Sequence, residues 1–93
     1  MALAISLRAG EMFRCGDALF EVNEIHDKTS FRLVHFVEPR NPYKPEYIVH
    51  EIVHGQACEI LADVWVSSAK GTFVTAKIVI EAPKSIKIRR VKK

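Results

Sequence analysis

Apolar and polar positions along the chain alternate in short runs with turn residues between them, which predicts a protein built mostly of strands. Leu3 to Leu7 is apolar apart from Ser6 and runs into Arg8-Ala9-Gly10-Glu11, a turn whose glycine can supply a positive φ. Met12 and Phe13 open a short second stretch that ends at Cys15-Gly16-Asp17. From Leu19 to Ile25, Phe20, Val22 and Ile25 are set among Glu21, Asn23 and Glu24, the mixture of a half-buried strand. His26 to Ser30 reads as a polar turn and Phe31 to Val37 as a further strand. Pro39, Pro42 and Pro45 exclude a regular element from the middle of the chain.

The second half is less uniform. Between Pro45 and Ala62 the apolar residues fit a helical stripe, but Ile48-Val49-His50-Glu51-Ile52-Val53 has the β-branched content of a strand. Val64-Trp65-Val66 reads as extended, Ser67 to Gly71 as a turn and Phe73 to Ile80 as a strand. Glu81-Ala82-Pro83-Lys84 is a proline turn, and Ser85 to Arg90 a last strand. Alternation there puts Ile86 and Ile88 on one face with Arg90, and Lys87 and Arg89 on the other. Phe13, Phe20, Phe31, Phe36, Trp65 and Phe73 are expected in the core, and Tyr43 and Tyr47 at the surface.

Length narrows the architecture. The 93 residues allow one domain with a small core, which a partner chain would enlarge. No apolar run reaches the roughly 20 residues of a membrane helix, and no secretory leader is read at the start. Cys15 and Cys58 are too few for a disulfide framework, so a reducing cytoplasm with free thiols is expected. The formal charge of +3 hides an asymmetry. Lys84, Lys87, Arg89, Arg90, Lys92 and Lys93 fall within the last ten residues without an acid, leaving 8 basic against 11 acidic side chains elsewhere. A basic end on a mildly acidic body attracts a polyanion to one place, and it also protects a strand edge from aggregation.

Two blocks of residues carry a family resemblance. Leu3-Ala4-Ile5-Ser6-Leu7-Arg8-Ala9-Gly10-Glu11, followed by Cys15-Gly16-Asp17 and Val22-Asn23-Glu24-Ile25, resembles the opening of the carbon storage regulator family. Ile80-Glu81-Ala82-Pro83-Lys84-Ser85-Ile86-Lys87-Ile88-Arg89-Arg90 resembles that family's closing strand, a proline turn followed by an alternating strand that ends in arginine. The resemblance implies a small β-protein that dimerises by interleaving its first and last strands across two chains. It also implies binding of GGA-containing loops in messenger RNA or a small regulatory RNA, with control of translation and no cofactor. Carried over residue by residue, it makes Ile5 and Arg8 of the first strand, Ala82, Pro83 and Lys84 of the turn, and Arg89 and Arg90 of the last strand the RNA-binding residues.

Three departures accompany the resemblance. Leu7 stands where the family has the first residue of a basic pair. The closing helix has no counterpart after Arg90. Residues 27–70 form an insertion within the single domain 1–93, expected as a hairpin or as a strand plus a short helix.

Other functions stay open on this sequence. The scaffold could be a protein-interaction module or an antagonist of the regulator, with a protein partner at the insertion, or a generic SH3-like barrel. His50-Glu51-Ile52-Val53-His54 spells H-E-x-x-H, whose zinc chemistry requires a helix that brings both histidines to one face. On a strand the two histidines would stand about 13 Å apart, too far for one metal. No catalytic residue and no metal ligand are therefore assigned, and Cys58 near His54 is read as a core thiol.

Overall fold

The computed structural model describes residues 2–37, 43 and 46–91. The proline-rich stretch with Pro39, Pro42 and Pro45 lies outside the described residues, as do Lys92 and Lys93. Nine strands make up the regular structure: β1 (Ala2–Arg8), β2 (Met12–Cys15), β3 (Ala18–Asp27), β4 (Ser30–Val37), β5 (Glu46–Val53), β6 (Cys58–Leu61), β7 (Val64–Ala69), β8 (Thr75–Glu81) and β9 (Ile88–Val91). They form two antiparallel sheets, ordered β1-β8-β7-β6 and β5-β4-β3-β2-β9. The mostly β expectation holds, and no helix occurs among the described residues.

The topology is two meanders that exchange their ends. The run β2 to β5 forms one sheet and β6 to β8 most of the other. The N-terminal strand joins the C-terminal meander, with Leu7 opposite Ala76, and the C-terminal strand joins the N-terminal meander, with Ile88 opposite Cys15. The first and last strands therefore find partners within the chain, β8 and β2, and lie at the edges of different sheets.

Alternation places one face of each sheet inside. Leu7, Ala76, Ile78, Ile80, Val64 and Val66 line one side of the core. Phe13, Cys15, Phe20, Val22, Phe31, Leu33 and Ile52 line the other. The Phe13 and Phe20 rings stack with centroids 5.3 Å apart. Ile86 and Ile88 pack against this core, as their spacing requires, although the last strand begins only at Ile88.

The structure corrects or settles several expectations. Residues 46–53, open between helix and strand, are a strand that pairs in continuous register with β4. Ser67 and Ser68 are not a turn but part of the second half of β7, paired with Val79 and Ile78 of β8. Phe73 and Val74 precede β8 rather than begin it, and are 71% and 65% exposed. Phe36 and Trp65 are also exposed, because alternation puts both on outer sheet faces. The segment 27–70 contains the whole of β4, β5, β6 and β7, two hairpin arms rather than one.

Candidate nucleic-acid interface

The two sequence blocks have the same structural role, since each carries the chain from one sheet to the other. At the first crossing Gly10 has φ 91°, a conformation that costs a side-chain-bearing residue about 1 kcal/mol or more. The Gly10 N–H donates to Val22 O at 2.7 Å, and the Val22 N–H donates to Glu11 O at 3.0 Å. The Arg8 N–H donates to the Glu11 carboxylate at 2.6 Å, and the Glu11 N–H returns to Arg8 O. Glycine and glutamate at this spacing thus fix the exit of β1 whatever the function.

At the second crossing Pro83 ends β8, since it has no N–H to continue the ladder. The Ile86 N–H donates to Pro83 O at 3.0 Å, closing a four-residue turn that presents Lys84 and Ser85 to solvent. The Gly16 N–H donates to Lys87 O at 2.8 Å, so the β2–β3 turn braces the incoming strand. Gly16 has φ 61°, and Ile86 lies 3.8 Å from where a side chain would begin.

Between this turn and the start of β1 is a groove of about 270 Å³. Leu3, Pro83 and Ile88 supply apolar surface, while Lys84, Lys87 and Arg89 supply three cations and no acid lines it. Four of the seven residues singled out from sequence meet here: Ala82, Pro83, Lys84 and Arg89. Ala82 is almost fully buried and forms the floor.

The other three lie elsewhere. Ile5 is half-buried against the core opposite Ile78. Arg8 is at the far end of β1, beside Ala9, Asn23 and Phe73, about 17 Å along the strand from Leu3. Arg90 stands opposite Phe13 on the other face of β9, exposed at the sheet edge. Leu7 is 2% exposed and faces Ala76 across β8. Its departure from the basic pair therefore has a packing reason: an arginine at this position would place its charge in the core.

Sequence reasoning missed Leu3 and Lys87 of the groove, and the neighbouring Arg14. Lys87 was visible, since it alternates with Arg89. Arg14 was not, because it reaches the site only through pairing of β2 with β9, where it stands opposite Arg89. The ion pairs among the described residues join Arg32 to Glu24 and Glu51, and His26 to Glu51, on the opposite flank of the five-stranded sheet. The groove cations take part in none of them.

The H-E-x-x-H segment lies on β5 and just beyond it, so its histidines do not share a helical face. His50 points inward, with Cys58 Sγ 3.8 Å from its Nδ1, whereas His54 Nδ1 is 2.9 Å from Ser68 O. Glu51 is on the outer face, bonded to Arg32 Nε at 2.6 Å and His26 Nε2 at 2.8 Å, which hold its carboxyl below the usual range. No group of three metal-ligating side chains converges among the described residues. Cys58 is half-buried and packs on the core, and Cys15 is buried, its thiol pushed up by burial. No described helix is long and apolar enough to cross a membrane.

Comparison with protein-family models, curated proteins and solved structures gives no match to this chain.

Proposed function

We propose that the protein binds single-stranded RNA in the groove between the start of β1 and the β8–β9 turn, and acts as a post-transcriptional regulator. The observation that carries this reading is the convergence of Lys84, Lys87 and Arg89 around an apolar floor without an acid. Cations hold phosphates, and a proline turn offers main-chain groups to base edges exposed in a loop. The resemblance of both sequence blocks to the carbon storage regulators supports GGA-containing loops of messenger RNA as the ligand, with competition against ribosomes as the mechanism.

The test is a fluorescence-anisotropy titration of a GGA-loop hairpin and a scrambled-loop control, at low and at physiological salt. Submicromolar binding that prefers GGA and persists at physiological salt is expected. Equal, weak binding of both RNAs that salt abolishes would reduce the groove to a solvated basic edge.

A further inference from the structure

Each sheet has two edges, and the chain protects them unequally. β6 and β9 are four residues each, and β9 carries Arg89 and Arg90. Short, charged strands are the ordinary defence of an edge. β5 is different: its eight residues, Glu46 to Val53, contain neither lysine nor proline. Tyr47, Ile48, Val49 and Val53 are 61%, 48%, 46% and 46% exposed.

The hydrogen-bonding direction of this edge follows from one contact. The His54 N–H donates to Thr29 O, and the β4–β5 register continues without a shift from there. By alternation, the even-numbered residues of β5 turn their main-chain groups toward β4. Tyr47, Val49, Glu51 and Val53 turn theirs outward.

We infer that β5 pairs antiparallel with β5 of a second copy of this chain, in a register centred on His50, joining two five-stranded sheets into one. The register is selected by face, charge and hydrogen bonding together. Antiparallel partners share a face, so the two-fold axis must pass through a residue pair. Centring on Glu51 would oppose two carboxylates. Centring on His50 sets Glu46 of each chain opposite His54 of the other. It also sets Tyr47 opposite Val53, and pairs Val49 with Glu51 through outward-facing main-chain groups. His54 is exposed and donates its Nδ1–H to Ser68 O, so Nε2 is the nitrogen left to meet the Glu46 carboxylate, as a donor when the ring is the imidazolium. β1, the other long edge, has no such complementarity, because it carries Arg8 and no acid.

This interface is separate from the groove, so the two readings fail independently. Sedimentation analysis of the full chain is expected to show a dimer. Val49→Pro removes an outward N–H that β4 does not use, and should raise the dimer dissociation constant at least about tenfold while leaving the thermal melt cooperative and RNA affinity per chain unchanged. In the Tyr47→Cys/Val53→Cys double variant, mild oxidation should link two chains, since opposed residues stand about 5.5 Å apart. Neither single variant should link. A wild-type monomer at high micromolar concentration, a dimer indifferent to Val49→Pro, or cross-linking as efficient in the singles as in the double variant would overturn the inference.

Discussion

Arg14 of β2 and Arg89 of β9 stand directly opposite each other in the antiparallel ladder, both on the outer face of the five-stranded sheet. Like charges in this arrangement repel, and no carboxylate is ion-paired to either among the described residues. Lys87 shares their side of the strand by alternation. Such an opposition is relieved by an anion between the two guanidiniums, which is what a phosphate supplies.

Arg89→Ala and Arg14→Ala are accordingly expected to weaken RNA binding and to lower the salt slope of binding by about one each. Neither should reduce the stability of the free protein, because each removes a repulsion. Titrations at three salt concentrations, paired with urea unfolding, check both halves. An unchanged slope in a folded Arg89→Ala variant would remove this pair from the interface.

Arg90→Ala separates the groove from the site carried over by resemblance. The resemblance assigns Arg90 a charge-assisted RNA contact, whose loss would cost about 1–3 kcal/mol. The fold sets Arg90 on the opposite face from Arg89, across from Phe13. Arg90→Ala is therefore expected to cost less affinity than Arg89→Ala in the same anisotropy assay, and the reverse order would move the RNA to the other side of β9.

Leu7→Ala should destabilise the fold by roughly 3 kcal/mol, the cost of a truncated core leucine and the cavity it leaves. Leu7→Arg should prevent folding at 25 °C, since its charge would be placed among Ala76 and its core neighbours without a partner. Circular dichroism and chemical denaturation read both outcomes. A stable Leu7→Arg variant would show that β1 can turn its inner face to solvent.

His35 and His50 make stability sensitive to mild acid. Burial lowers both below the ordinary value of 6.5, and the nearby His50 lowers His35 further. His35 also stacks on Phe20, with centroids 4.5 Å apart. The folded state favours the neutral rings, so their contribution is complete above pH 6.5. It is lost as the pH falls below 6.5 and through the folded values, because the unfolded chain takes up protons first. The melting temperature is expected to hold between pH 8 and 7 and to drop from about pH 6.5 to 5, and His35→Gln with His50→Gln should flatten that drop. Glu51 acts in the same direction at lower pH, since its bonds to Arg32 and His26 are lost as it protonates.

The sequence by itself determined the strand character of most of the chain, which residues share a face of each strand, and the turns at Gly10 and Pro83, two of the three places where the chain passes between sheets. These are local matters: alternation decides which residues can be buried together, and Gly10 and Pro83 decide where a strand must stop. The grouping of Pro83, Lys84, Lys87 and Arg89 was legible for the same reason, as they are neighbours along the chain. Local patterning could not choose between helix and strand for 46–53, where a helical stripe and β-branched residues coincide. The continuous ladder with β4 decided it, and with it the distance between His50 and His54. Nor could patterning say which aromatics were inside: Phe36 and Trp65 have strand spacing, but only the stacking of the sheets fixes which face is outer. Arg14 joined Arg89, and Leu7 became core, through pairings between residues about 70 positions apart in sequence. Such contacts depend on which strands share a sheet, and that choice belongs to the closing of the whole core rather than to any one segment.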